Sequence, residues 1–145
     1  MAESNAISAF GTILQVGDGG TPETFTGVAE VHDINGPGIS LDMIERTHHL
    51  SPEATKEYIA GLKDLDQISF EVGFLPTEPT HSLTTGFLSD WKNRTLRTYR
   101  LVFPDAAATT WEMKGFVSGF AVKGPVQGLL AADVTIRLTG QLTEI

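Results

Sequence analysis

The run His48–Phe74, HHLSPEATKEYIAGLKDLDQISFEVGF, decides how the rest of the chain is read. Before it, ISLDMIERT ends a strand-like alternation at Thr47. At its close ISFEVGF starts another, with Ile68, Phe70, Val72 and Phe74 on one face. Neither pattern claims the residues between. Connections longer than about 12 to 15 residues inside a compact domain are usually functional or disordered. This one carries Tyr58, Ile59 and Leu62 among its charges, and a disordered tether tends to lack such residues. The segment is therefore read as a projecting loop, an arm that buries those side chains against something outside its own domain. Within it, Ser51-Pro52-Glu53 has the form of a helix start and Gly61 of a stop, enough for about two turns.

Working outward, GTILQVG reads as a short first strand, and Gly17–Thr24, GDGGTPET, is turn chemistry. Phe25–Ile34 alternates Phe25, Ala29 and Val31 against Thr26, Glu30 and His32, the signature of one half-buried strand. Asn35–Gly38, NGPG, reads as a hairpin turn, so Phe25–Ile34 is predicted to pair antiparallel with Ile39–Thr47. After the arm, two prolines in LPTEPT break the strand. Leu83, Phe87, Leu88 and Trp91 then recur at helical spacing, predicting a helix capped by Thr80, weakened by Gly86 and ending near Asn93. Strands follow at Leu96–Phe103, Thr110–Val122 and Ala132–Leu142. About seven strands with one flanking helix predict a mainly β fold, an antiparallel sandwich or barrel.

At 145 residues and 15.6 kDa the chain fits a single domain, residues 11–145, behind a flexible N-terminal arm, residues 1–10. There is no cysteine, hence no disulfide frame or thiolate chemistry. Neither a cleavable signal nor a membrane-spanning apolar run is visible in the sequence, which predicts a soluble protein with no membrane partner. With 18 acidic against 10 basic residues the net charge is −8, the wrong sign for a surface that grips phosphate.

Candidate chemistry is sparse. His48 and His49 with His32 and His81 invite a metal site, yet adjacent histidines on a strand point to opposite faces. Gly17-Asp18-Gly19-Gly20 lacks the Lys-Ser/Thr of a phosphate loop. The pairs Glu53/Glu57 and Asp64/Asp66 have no apolar surroundings to shift their acidity. No catalytic residue, metal or cofactor is expected. Lys92, Arg94, Arg97 and Arg100 cluster in sequence, and are read as ion-pairing with acidic residues of a neighbouring copy.

Taken in order, GTILQVGDGGTPETFTGVAEV, INGPGISLDMIE, SPEATKEYIAGLKDLDQISFEVGF, the segment with Trp91, YRLVFPD and LAADVTIRLTGQL resemble the tail tube protein of long-tailed bacteriophages, in its short lambda-like group. The resemblance runs from about Gly11 to Thr143. It implies a small β-sandwich or barrel assembling into hexameric rings that stack into a virion tube, built in the host cytoplasm, down which double-stranded DNA passes. It implies as partners further copies and the tape measure, tail tip and terminator proteins. Leu50, Ser51, Pro52, Glu53, Tyr58, Ile59, Leu62 and Lys63 would then stack rings. Glu30, Asp42, Glu71 and Asp133 would present negative charge to the DNA, so that it slides. A type VI or contractile-tail inner tube subunit is the alternative within structural proteins, and a small-ligand-binding β-barrel the alternative from another class.

Overall fold

A computed structural model describes residues 3–145; Met1 and Ala2 of the expected N-terminal arm lie outside the described residues. Residues 3–8 carry no helix or strand and are exposed. The strands are β1 (Ile13–Gly17), β2 (Phe25–Gly27), β3 (Val31–Asn35), β4 (Ile39–Glu45), β5 (Tyr58–Leu65), β6 (Gln67–Gly73), β7 (Arg97–Val102), β8 (Thr110–Lys123) and β9 (Ala131–Glu144), with one helix, α1 (Phe87–Asn93). Seven of them form a sheet in the order β2-β1-β7-β8-β9-β6-β3, antiparallel throughout, and β4 and β5 form a separate pair.

The predicted strand Phe25–Ile34 is two strands, and the break between them closes the sheet. Val28 N–H donates to Leu14 O on β1, whereas Glu30 O accepts from Gly73 N–H at the end of β6. Two residues apart, the same segment is bonded to opposite edges of the sheet. Consecutive Cα atoms are about 3.8 Å apart, so those edges must meet, and the sheet is a barrel. Glu30 turns the chain at φ 58. Ala29 is held there by Thr80 Oγ1, which accepts from its N–H, and by His81. Leu75 N–H donates to His81 Nδ1, so Nε2 carries the ring proton and donates to Ala29 O at 2.9 Å. With both ring nitrogens engaged and the side chain fully buried, His81 is structural.

Leu14, Ile68, Val72, Phe87, Tyr99, Leu101, Met113, Val134 and Ile136 fill the barrel interior, all almost wholly buried. The space that a ligand-binding barrel would keep open is occupied by these side chains. Alternation along β6, β8 and β9 puts Ile68, Val72, Met113, Val134 and Ile136 inside and Glu71, Lys114, Asp133 and Arg137 outside.

The predicted pairing of Phe25–Ile34 with Ile39–Thr47 is not what forms. Asn35 pairs with Ser69, and four residues further along the chain Ile39 pairs with Leu65, four residues earlier on the other strand. The register is therefore kept across Gly36-Pro37-Gly38. Asn35–Gly38 is not a turn but an interruption in one long ribbon, β3–β4 against β5–β6, bridged by Gly38 N–H to Gln67 O and Asp66 N–H to Gly38 O. The Asn-Gly signal misleads because Pro37 supplies no N–H for a tight turn, while Gly36 at φ 108 lets the chain run on. A Cβ at Gly36 would stand 2.6 Å from Gln67 O. Gly36→Ala is expected to cost about 2 to 3 kcal/mol, lowering the thermal midpoint, while Gly19→Ala, positive in φ but in open space, costs about 1. Equal midpoints for the two variants would refute this role for Gly36.

The helix also begins later than its periodicity suggests. Residues 75–86 are turns, tied by Thr85 Oγ1 to Pro79 O and by Ser82 to Thr85, and α1 starts only at Phe87. Gly86, not Thr80, is its N-cap. Of the expected apolar stripe Phe87 enters the core beside Phe70, whereas Leu83 and Trp91 face solvent.

Candidate assembly surface

The segment expected to be a loop is half strand. Tyr58–Leu65 pairs with Ile39–Glu45, giving a hairpin that extends the ribbon past the barrel; at about 3.3 Å per residue its seven-residue strand reaches about 23 Å. The predicted two-turn helix reduces to a single 3₁₀ turn, Pro52–Ala54. Among the described residues nothing covers the hairpin: every residue of β4 is exposed, and so are Tyr58, Ile59 and Leu62, the last at 79%, with Leu50 at 86% on the tip. Apolar side chains lie on both faces, since Met43 and Tyr58 alternate with Ile44 and Ile59. A two-stranded ribbon in water is marginal by itself, and this one is anchored at its base, through its continuity with β3 and β6, by Leu65 in the core and by Arg137 of β9, 3.4 Å from Asp64.

The tip is nonetheless built. Ser51 Oγ accepts from His48 N–H at 2.9 Å and donates to Glu57 Oε2 at 2.9 Å; Thr47 Oγ1 accepts from Glu57 N–H at 2.8 Å, and Arg46 N–H donates to Glu57 O. Glu53 and Ala54, both at φ 56, turn the chain. Of the residues assigned to ring stacking, Ser51 is thus a buried brace of the tip. Leu50, Glu53, Tyr58, Ile59, Leu62 and Lys63 are exposed along the arm, with Pro52 opening the 3₁₀ turn.

The basic cluster divides. Arg97 Nε donates to Asp90 Oδ1 at 3.0 Å, and Arg100 bonds Glu112 at 3.0 Å while its guanidinium lies 3.8 Å from the Phe25 ring centre. Both are engaged inside the chain, which corrects their reading as partners for a neighbour. Burial pushes the Asp90 carboxyl above its ordinary range, and Arg97 opposes that shift. Lys92 and Arg94 have no acidic partner within 4 Å among the described residues.

The four acids expected to face a lumen are not brought together. Glu71 and Asp133 stand opposite each other on the solvent face of β6 and β9. Lys123 Nζ lies 3.3 Å from each, with His32 3.7 Å from Glu71. Their field is therefore partly neutralised. Glu30 sits in the barrel-closing turn, and Asp42 lies out on the arm. Among the described residues no three or more His, Cys, Asp or Glu side chains are grouped to hold a metal ion, and no helix is long and apolar enough to cross a membrane.

A model of the lambda phage tail tube proteins matches residues 14–144. The chain belongs to that family. Its members are structural proteins of the phage tail and not enzymes. Among curated proteins no sequence matches it. The fold is similar to a chain in the virion of a native gene transfer agent particle, with a TM-score of 0.76 at 11% identity over 97% of this chain and 99% of that one. It is also similar to a chain in an extracellular contractile injection system showing the sheath/tube terminator in its extended state, with a TM-score of 0.72 at 16% identity over 99% of both. A third likeness is to a chain of the anti-feeding prophage baseplate, with a TM-score of 0.70 at 10% identity over 99% and 97%. At such identities the likeness is one of fold, and it spans whole chains.

Two further exposed apolar features of this tail tube family member escape a reading by periodicity. Trp91, in the last turn of α1, and Phe116, on β8, are exposed and line one cleft with Lys92 and Arg94. At the opposite end of β6 from the arm, residues 124–130 join β8 to β9 and hold Val126 and Leu129 in solvent. Only Trp91 gave a signal, and helical spacing assigned it to the core.

Proposed function

We propose that copies of this chain close into six-membered rings and that the rings stack into a hollow virion tube through which DNA passes, the arm bridging one ring to the next. The observation that carries this is the arm itself: a hydrogen-bonded ribbon, apolar on both faces, that none of the described residues of its own chain covers. Burying such surface contributes about 25 cal/mol per Å², and a monomer leaves it in water. The barrel also has a strand edge to offer. Pairing of β7 with β8 stops at Arg97 opposite Gly115, so β8 beyond that point has a strand only on its β9 side. Ring closure would cover such an edge.

Negative-stain microscopy of the purified, concentrated protein is expected to show rings and tubes with a continuous hollow centre. A strictly monomeric solution under every condition tried would overturn the reading. Single rings that never stack would favour instead a tube-terminating role, for which the likeness to the sheath/tube terminator structure speaks.

A further inference from the structure

We infer that the cleft between the end of α1 and β8 receives the arm of a second copy. The inference rests on the tube reading and names the surface that the arm meets. Trp91 is 55% exposed and Phe116 41% exposed with the chain's own arm in place, and the cleft they line with Lys92, Arg94, Val117 and Ser118 has a volume of about 730 Å³. Two large aromatic rings beside two cations that have no acidic partner among the described residues form a surface that is both apolar and positive, in a chain whose net charge is −8.

The arm is its complement. On the face of Met43 and Tyr58 it carries Glu45, which has no basic group within 4 Å among the described residues; Asp42 lies on the other face, with Ile44. Glu45 is directly opposite Tyr58 across the ribbon, so carboxylate and aromatic ring share a face. Lys92, in the last turn of α1, also suits the negative end of the helix. Arg94 has no such in-chain role. It is the C-cap residue at φ 55, a conformation that glycine or asparagine adopts more readily. An arginine held there with its guanidinium unpaired is placed to meet an outside carboxylate. The turn at residues 124–130 is also apolar but contributes no charge of its own, so it does not match Glu45.

A charge exchange tests this. Lys92→Glu with Arg94→Glu is expected to raise the concentration needed for tube formation at least about tenfold, since like charges would face each other. Adding Glu45→Lys to that variant is expected to bring that concentration back towards the unaltered value, which a merely misfolded α1 would not allow. Because the chain has no cysteine, a pair can be introduced cleanly. Arg94→Cys with Glu45→Cys is expected to yield disulfide-linked multimers in assembled tubes. Cross-linking through Val126→Cys with Glu45→Cys in its place would overturn the cleft while leaving the tube reading intact. So would tubes formed by Lys92→Glu/Arg94→Glu at the unaltered concentration. If the unaltered protein never assembles, both fall.

Discussion

Replacing residues 40–64 by a two-glycine turn is expected to leave a folded barrel that stays monomeric and forms no tubes at any concentration. The cut is set by the ladder: Ile39 and Leu65 are the last pair before the arm, and their neighbours in β3 and β6 remain bonded. The barrel should keep its stability, because Ile68, Phe70, Val72 and the residues they pack against are untouched, and the removed strands contribute almost nothing buried except Ser51. A shorter deletion such as Ser51–Lys63 would be a poorer experiment. It strips most of β5 and leaves β4 as an unpaired edge, inviting aggregation for reasons unrelated to assembly. Circular dichroism and sedimentation velocity read the two halves of the expectation separately. Long tubes built by the armless protein would remove the arm from the assembly mechanism.

The second large effect concerns the barrel. Arg97→Ala is expected to destabilise the monomer by about 3 kcal/mol at neutral pH, because it strands the Asp90 carboxylate, 4% exposed, without its guanidinium. The lower end of the usual range is appropriate, since Arg97 keeps about a quarter of its side chain in solvent. Burial already raises the affinity of Asp90 for its proton above the ordinary value. Without Arg97 that rise is larger, so the folded state takes up a proton more readily than the unfolded chain. The deficit should then shrink as the pH falls through the acid range and return as it rises. Arg97→Met with Asp90→Asn, which removes both charges, is expected to recover most of the loss. A pH-independent deficit in Arg97→Ala, measured by denaturant titration, would show that lost packing of the arginine stem is the cause.

Much of the barrel is legible because β6 and the middle stretches of β8 and β9 alternate, and a half-buried strand leaves that mark whatever its partners are. Partners themselves leave none. Asn35-Gly36 carries a strong local turn signal, and only the ladder shows that Gln67 and Asp66 hold the chain straight through it. Likewise the split of Phe25–Asn35 depends on Thr80 and His81, some fifty residues away. The length and apolar content of the arm mark it as exceptional, yet its strands leave no mark in the sequence. Tyr58–Leu65 shows no alternation because both its faces are bare, so binary patterning has nothing to report. The basic cluster was grouped by sequence proximity, whereas Arg97 and Arg100 take partners on α1 and β8 that no spacing rule reveals.

The ribbon that runs from Val31 through Gly36-Pro37-Gly38 to Glu45, and back from Tyr58 to Gly73, has a mechanical consequence. Its outer half is solvated, but its inner half carries Ile68, Phe70 and Val72, so it acts as a lever whose short end is clamped in the tightest part of the molecule. A displacement at the tip would be transmitted as strain to the wall from which it springs.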